Sequence, residues 1–327
     1  MELADLPVTD ICIERVTSWG NLSVEPAAVR SYRSATTRQQ EEKMDFGAAM
    51  FFTDYSMTPA ELGQVLEARG FESIWAPEHS HIPSTRKTPP ASGGELEKRY
   101  YDVMDPFVTL TAAAMATKTL KVGTGVCLVI QRDTIQTAKL VATIDHVTGG
   151  RFLFGVGGGW NQDEIEDHGT VFKTRFKKMR EQIGAMKEIW TKSEPEYHGD
   201  IVDFPKMRTW PKPVQKPHPP IIVGGAFPHS ARRAVRYGNG WIPNASRAHY
   251  TDVTEFLPQF RQMAAETGRD AASIPVTIWG APDNLDRVKR YRDQGISRVV
   301  VSLPSAPSAE ILPTLDRWAE IIRKSAN

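Results

Sequence analysis

An acid and an imidazole stand side by side directly after an apolar stretch of the sequence. Residues 72–77 read ESIWAP, and Glu78 and His79 follow them. Histidine can give or take a proton near neutral pH, and a neighbouring carboxylate can orient it or bond a ligand. Loop histidines are commonly solvent-exposed, but a position at the end of an apolar strand favours a functional one. We therefore predict Glu78 and His79 as catalytic residues.

Glycine-rich turns follow two other apolar stretches. Three glycines, 157–159, come after the run 151–156, and the pair 224–225 comes after the run 221–223. Glycine allows close approach to the backbone, and a helix N-terminus behind such a turn offers N–H groups to a phosphate. The second turn suits a phosphate better, because a helix begins close behind it near Pro228. The competing interpretation is that these glycines only close tight strand-to-helix turns.

The elements that must position these residues alternate between strand and helix from residue 44 to residue 327. Such alternation predicts a parallel sheet covered on both faces. Eight strands favour a (β/α)8 TIM barrel with insertion segments. The alternative is an open doubly wound sheet. A GxGxxG turn would be expected after its first strand, and the sequence has none there. The predicted strands are Asp45–Phe52, Glu72–Pro77, Leu120–Val129, Arg151–Val156, Ile221–Val223, Gly240–Pro243, Pro275–Gly280 and Arg298–Leu303.

A barrel of this kind carries its active site at the C-terminal ends of its strands. Strand one ends at Phe51, strand two at the acid–imidazole pair, strand three in the stretch 124–129, and strands four and five at the glycine turns. Aromatic residues, one acid–imidazole pair and glycine turns at one edge suit a flat aromatic ligand with a phosphate-bearing tail. We therefore expect a small-molecule site at this edge of the barrel.

Composition excludes several other classes of function. The 327 residues carry a formal net charge of +1, which favours neither nucleic acid nor an anionic membrane surface as a partner. The sequence contains no metal-binding spacing, no GxSxG motif, and no apolar run of membrane-spanning length. Two distant cysteines and the lack of a signal-peptide pattern favour a reducing cytoplasm. Residues 1–43 are polar with little periodicity, and we expect a peripheral extension to one domain, 44–327.

Several phrases in the sequence resemble the bacterial luciferase-like monooxygenase superfamily, and specifically its branch of F420-dependent oxidoreductases. The match runs from Met44 to the C-terminal helix, and the phrases that carry it are together specific for the superfamily but less so for the cofactor. They are GFESIWAPEHSHIP (70–83), VGTGVCLVIQRD (122–133), AKLVATIDHVTGGRFLFGVGGGWNQDEIEDHG (138–169), WPKPVQKPHPPIIVGG (210–225) and RYGNGWIP (236–243).

The resemblance implies a TIM barrel that holds coenzyme F420, or alternatively FMN, over its C-terminal strand ends. It also implies a non-proline cis peptide at Gly125-Val126 and a homodimer. Reduced F420 would then deliver a hydride to an electron-poor organic substrate, with His79 or water supplying the proton. The cofactor-binding residues expected from strand ends and resemblance together are Phe51, Glu78, His79, Thr124, Gly125, Val126, Gly157, Gly158, Gly159, Trp160, Gly224 and Gly225.

Trp160 departs from the pattern of one group in this family. The F420-dependent glucose-6-phosphate dehydrogenases have a glutamate after the strand-four glycines, where this chain has Trp160. The sugar-phosphate reaction is therefore not expected here, and Trp160 is predicted to form a wall of the pocket. Two alternatives remain on the same fold: a two-component monooxygenase that uses FMN and O2, and a protein that binds the cofactor without turnover.

Overall fold

The computed structural model describes residues 44–90, 94–243 and 252–325, so the predicted extension 1–43 lies outside the described residues. Eight short parallel strands form the framework of this part of the chain. Each lies within or close to its predicted range. The barrel strands are β1 Asp45–Ala49, β2 Ser73–Ala76, β3 Lys121–Thr124, β4 Phe152–Val156, β5 Ile221–Gly224, β6 Gly240–Ile242, β7 Thr277–Trp279 and β8 Arg298–Ser302.

The strands pair in the order β6-β5-β4-β3-β2-β1-β8-β7, and every pairing is parallel. The two outer strands of this order meet through a bridge between Trp241 and Val276. Backbone hydrogen bonds from Trp241 N to Pro275 O (3.0 Å) and from Trp279 N to Pro243 O (3.1 Å) join the same two strands. The sheet therefore closes on itself, which confirms the TIM barrel.

Helices cover the outside of the barrel between its strands. Two of them begin at side-chain caps: the Thr58 hydroxyl accepts the backbone N–H of Glu61, and the Asp133 carboxylate accepts that of Gln136. Each cap satisfies a backbone donor that the helix itself leaves open. The helices are α1 Pro59–Ala68, α2 Pro106–Met115, α3 Thr134–Val147, α4 Gln162–Asp167, α5 Arg175–Thr191, α6 His229–Tyr237, α7 Leu257–Glu266, α8 Leu285–Asp293 and α9 Ser308–Ser325.

Strand β3 is shorter than predicted, because the chain leaves the ladder after Thr124. The Gly125-Val126 peptide is cis, as the family resemblance implies. Beyond it, the backbone N–H of Cys127 donates to Gly155 O (2.8 Å), and the carbonyl oxygen of Cys127 accepts the N–H of Gly157 (3.0 Å). The stretch that follows β3 is therefore attached to the end of β4 and forms part of the rim of the barrel.

One tryptophan fills the centre of the barrel. The side chain of Trp75 is fully buried, and its indole N–H donates to Ser73 Oγ at 2.8 Å. Glycines on both neighbouring strands make room for it: a Cβ on Gly47 would lie 2.7 Å from its Nε1, and one on Gly123 would lie 2.6 Å from its Cε3. Trp279 stands edge-on to this indole, with 6.3 Å between the ring centroids.

Between β4 and β5 the chain makes its largest excursion from the barrel. It contains α4, the amphipathic α5, and a two-stranded antiparallel ribbon of Tyr197–His198 with Asp203–Phe204. The proline-rich stretch that follows has two cis prolines, at Trp210-Pro211 and Lys216-Pro217. None of the described helices is long and apolar enough to cross a membrane.

Candidate active site

His79 is held between two side chains at the mouth of the barrel. Its Nδ1 lies 2.7 Å from Glu164 Oε2, and Trp160 Nε1 lies 3.3 Å from its Nε2. The side chains of His79 and Glu164 are 6% and 1% exposed, so solvent competes little for either contact. Because an indole nitrogen only donates, His79 Nε2 must accept and Nδ1 must carry the proton toward Glu164. This geometry defines a neutral histidine that is backed by a carboxylate.

Glu164 lies on α4 and is fully buried. Its second oxygen, Oε1, accepts the backbone N–H of Ser80 at 3.0 Å, so both oxygens of the carboxylate contact the segment 79–80. Buried carboxylates need such partners, because an unpaired buried charge is strongly unfavourable. Sequence analysis did not identify Glu164, since it stands in a run of acids, and no signal in the sequence separates it from its neighbours.

Glu78 faces away from His79 and holds the stretch after β3. Its carboxylate accepts the backbone N–H of Leu128 at 2.5 Å and Arg132 Nε at 2.6 Å. Arg132 also donates to Asp105 at 2.8 Å. Burial acts to lower the pKa of Arg132, but the charge of Glu78 outweighs it and raises that pKa. The residue that orients His79 is therefore Glu164, whereas Glu78 fixes the backbone beside the cis peptide.

Aromatic rings surround His79. The Phe51 and Tyr100 ring centroids are 4.8 Å apart, and Tyr100 lies 5.4 Å from His79 and 6.3 Å from Trp160. Burial raises the pKa of the Tyr100 phenol, so it remains a neutral hydrogen-bonding group. Trp160 belongs to the same group of rings, beside His79 and Tyr100. Sequence analysis missed Tyr100, because it lies in the long loop after β2 and reaches the site only through the fold.

Val126 lies in a notch between the ends of β4 and β5. A Cβ on Gly224 would lie 2.7 Å from Val126 Cγ1, and a Cβ on Gly157 would overlap Cγ2 of the same side chain. Thr124 is also turned toward the protein, since its hydroxyl donates to Gly155 O at 2.7 Å. Packing against Val126 is therefore enough to explain why positions 157 and 224 are glycine, because a side chain at either position would displace Val126.

The remaining glycines have other local reasons. A Cβ on Gly158 would overlap the Phe176 ring, and one on Gly125 would overlap the Trp279 indole. Gly159 and Gly225 have φ of +64° and +131°, in the region that favours glycine. The Gly225 turn leads directly to α6. The structure brings all twelve predicted residues to the C-terminal mouth of the barrel.

Two arginines at or near this mouth have no carboxylate partner among the described residues, and several buried polar side-chain atoms there have no hydrogen-bond partner. Arg175 lies 4.3 Å from the Phe176 ring centroid and Arg233 lies 3.6 Å from it. Neither has a carboxylate partner in the described part of the chain. Buried polar atoms rarely go unbonded, so such groups mark places where a ligand can complete the bonding. The unpartnered atoms are Thr53 Oγ1, both polar side-chain atoms of Asn161, and Arg233 Nε.

Within residues 44–90, 94–243 and 252–325, no group of three or more His, Cys, Asp and Glu side chains is placed to hold a metal ion. Cys127 is buried, and burial raises its pKa well above the ordinary value, so its thiol stays protonated. The site therefore offers a histidine, a carboxylate, aromatic walls and cations.

Comparison with known proteins connects this geometry to a family. A family model described as luciferase-like monooxygenase matches residues 55–282. An uncharacterised protein of Mycobacterium tuberculosis is 34% identical over 282 residues, which are 84% of this chain and 98% of that protein. An FMNH2-dependent dimethylsulfone monooxygenase of Pseudomonas putida is 34% identical over 134 residues, 40% of this chain and 36% of that enzyme.

A solved structure shares the architecture at low sequence identity. It is the coenzyme F420-dependent tetrahydromethanopterin reductase of Methanopyrus kandleri, with a TM-score of 0.63 and 18% identity. The match covers 84% of this chain and 97% of that one. At this level of identity the likeness concerns the fold alone.

Proposed function

Because this chain belongs to the luciferase-like monooxygenase family, we propose that it is an F420-dependent oxidoreductase acting on a small electron-poor organic molecule. The observation that carries the proposal is the buried His79, backed by Glu164 at 2.7 Å and surrounded by aromatic rings at the barrel mouth. A proton-transfer group of this kind beside a flat apolar site suits a reaction in which a hydride and a proton are both transferred.

The residues at the mouth fit a ring with an anionic tail. Phe51, Tyr100 and Trp160 offer aromatic faces to a ring, and Val126 with Trp279 lies beneath the mouth. Cations suited to a phosphate come from α5 and α6. When bound, reduced F420 supplies a hydride, so the substrate gains two electrons and one hydrogen while the deazaflavin is oxidised.

The proton in this reaction passes through His79 Nε2. With Nδ1–H held by Glu164, Nε2 can take up a proton, and the carboxylate then stabilises the resulting imidazolium. The imidazolium gives this proton to the substrate and returns to the neutral imidazole. Trp160 must release Nε2 before either transfer, since its indole N–H occupies that nitrogen. The same groups serve the reverse direction, with His79 as the base.

An FMN-dependent monooxygenase is the second candidate. It is favoured by the partial similarity to the Pseudomonas putida enzyme, whose name specifies reduced FMN. FMN has an aromatic ring system and one phosphate, so the same walls and cations would suit it. The two candidates differ in their need for O2, because only the monooxygenase consumes it.

Anaerobic turnover tests the proposal. The protein is mixed with reduced F420 and a panel of cyclic enones, imines and nitroarenes without oxygen, and reoxidation of the deazaflavin is followed by absorbance. We expect at least one substrate class to be reduced at a rate that depends on His79, with His79→Asn inactive. In a parallel assay with air, turnover that requires reduced FMN and O2 would favour the second candidate. Binding of F420 without reduction of any compound would instead favour a carrier.

A further inference from the structure

Each of the two aromatic rings beside His79 also lies against an arginine. The ring centroids of Tyr100 and Trp160 are 5.4 Å and 5.7 Å from that of His79. Cζ of Arg99 lies 5.7 Å from the Tyr100 centroid. Cζ of Arg86 lies 5.9 Å from the Trp160 centroid, and both distances are within reach of a cation–π contact. The long loop after β2 therefore places one cation against each of these rings.

Arg99 has a hydrogen-bonding edge that is only half used. Its Nη2 donates to Glu97 Oε1 at 2.8 Å, whereas its Nε is buried without a hydrogen-bond partner among the described residues. The side chain of Glu97 is 61% exposed, and an exposed ion pair contributes little stability. Nε and Nη2 together form an edge of the guanidinium group that can bind both oxygens of one carboxylate. A ligand carboxylate that replaced Glu97 would therefore satisfy the Nε that the protein leaves open.

Arg86 also has charge to spare. In the described part of the chain it donates to the backbone carbonyl of Thr88 and has no carboxylate partner. The acid that meets this part of the loop, Asp163, is already engaged. Its Oδ2 accepts the backbone N–H groups of Lys87 (2.9 Å) and Thr88 (3.1 Å) and the Thr88 hydroxyl (3.0 Å). These contacts hold the loop against α4 and leave the Arg86 guanidinium without a compensating anion.

The position of these cations points to the substrate and not to the cofactor tail. In the proposed reaction the substrate exchanges a proton with Nε2 of His79, so it must lie against that atom. The rings that flank His79 then border the substrate, and an acidic group on it would meet the arginines on those rings. The cation suited to the cofactor phosphate is a different one, because Arg175 is attached to the turn after β4 through Gly158 O at 3.1 Å.

We propose that the substrate carries a carboxylate, which Arg99 binds through Nε and Nη2 while Arg86 adds positive charge from the Trp160 side. Resting on the proposed function, this assignment narrows the substrate to an electron-poor acid, such as an enone carboxylate or a nitroarene carboxylate. In an enone, the hydride forms a C–H bond at the β-carbon. The C=C electrons form the second C–H bond at the α-carbon with the proton from His79, and the carboxylate is unchanged. Holding the carboxylate in two hydrogen bonds also orients the reacting bond toward His79.

Two matched pairs of substrates test the carboxylate site. They are para-nitrobenzoate with para-nitrobenzamide, and an oxocyclohexene carboxylate with its carboxamide, because an amide keeps the planar shape without the charge. Affinities are measured by calorimetry with oxidised F420 present, and kcat/KM is measured anaerobically with reduced F420. Arg99→Gln removes the charge, and Arg99→Lys keeps the charge without the paired donors. The matched control is Lys98→Gln, which removes the exposed positive charge next to Arg99, and circular dichroism checks that each variant is folded.

We expect the wild type to prefer each acid to its amide about tenfold in both affinity and kcat/KM, since the amide loses a paired, charge-assisted contact. Arg99→Gln should reduce this preference to about twofold or less, and Arg99→Lys should keep only part of it, whereas Lys98→Gln should keep the wild-type preference. Equal use of acid and amide by the wild type, or a preference that survives in Arg99→Gln, would overturn the carboxylate site and leave the proposed function standing.

The two readouts separate this site from the reaction. Binding of the acids that depends on Arg99, without reduction of any compound by reduced F420, would support the carboxylate site and overturn the proposed reaction. Absence of both binding and reduction for all four compounds would overturn both.

Discussion

Trp160 directs its indole N–H at Nε2 of His79 across 3.3 Å, and so occupies the nitrogen through which a substrate would be reached. Glu164 holds the opposite nitrogen at 2.7 Å. His79 is thus fixed in one tautomer, with a carboxylate behind it and an indole in front.

Removing the indole N–H while keeping an aromatic ring should speed the proton step. In Trp160→Phe the ring wall remains, and Nε2 of His79 no longer has to break a hydrogen bond before it meets a substrate. We expect kcat to rise about two- to fivefold, since such a bond contributes about 1 kcal/mol. Steady-state kinetics measures the effect, with Trp160→Ala as the comparison that also loses the ring. A fall in kcat of tenfold or more in Trp160→Phe would contradict this role.

Glu164 should act as a positioning residue through its charge. In Glu164→Gln the amide oxygen can still accept from Nδ1 of His79, but no charge stabilises the imidazolium. We expect kcat to fall about a hundredfold with cofactor affinity unchanged. Glu166→Gln on the exposed face of α4 is the matched control. Steady-state kinetics of both variants measures the effect, and a Glu164→Gln variant that keeps the wild-type kcat would contradict this role.

Sequence analysis singled out His79 but not the carboxylate that contacts it, for a geometric reason. Adjacent residues of an extended chain point to opposite sides. Glu78, next to His79, therefore points to Arg132 and Leu128, while the carboxylate on His79 comes from 85 positions further along the chain. The strands, in contrast, depend on local apolar runs and could be predicted to within a few residues.

The glycine turns show a second limit of reasoning from sequence. A glycine kept for a ligand and a glycine kept for a neighbouring side chain look the same in one sequence. At Gly224 the neighbour is Val126, from a different strand end, and only the folded chain brings the two together. The arginines on either side of Phe176 were missed for the same reason, because they lie on different helices.

The notch around Val126 predicts a coupling between two positions. Gly224→Ala should lower the free energy of unfolding by about 1–3 kcal/mol, because its methyl group would lie 2.7 Å from Val126 Cγ1. Adding Val126→Ala removes Cγ1 of Val126 and should restore part of the lost unfolding free energy. Denaturant unfolding of the two single variants and the double variant measures the coupling. Strict additivity would show that the two residues do not share the space.

Glu67 should make stability depend on pH in the acid range. Burial acts to raise its pKa, but the backbone N–H groups of Lys118, Thr119 and Leu120 and the Thr119 hydroxyl lower it to about 2. The folded-state pKa lies below the ordinary 4.5, so the stabilisation is full above that value and disappears as pH falls toward 2.

Glu67→Gln tests this dependence. After allowance for solvent screening, we expect the variant to lose about 1–2 kcal/mol of unfolding free energy at pH 7, and progressively less below pH 4.5. Thermal unfolding across this range measures the difference, with Glu320→Gln on α9 as the control. A loss that stays constant down to pH 3 would show that the charge of Glu67 is not responsible.

The outer face of α2 provides a test of the expected homodimer. Val108 and Met115 are 71% and 63% exposed and lie seven residues apart, hence on one face of the helix. Exposed apolar side chains grouped in this way are typical of protein interfaces. We expect V108E/M115E to shift the molar mass measured by light scattering from dimer to monomer, while I201E on the ribbon loop leaves it unchanged. A wild-type monomer would contradict the expectation.

A competitive cofactor titration tests the central claim most directly. The purified wild-type protein is titrated with F420 and separately with FMN, and the bound cofactor is identified by its own absorbance and fluorescence. The account predicts saturable binding of F420 that excess FMN does not displace, with affinity lowered in Arg175→Gln because a cation beside the glycine turn after β4 would be lost. Tight binding of FMN together with no measurable binding of F420 would contradict it.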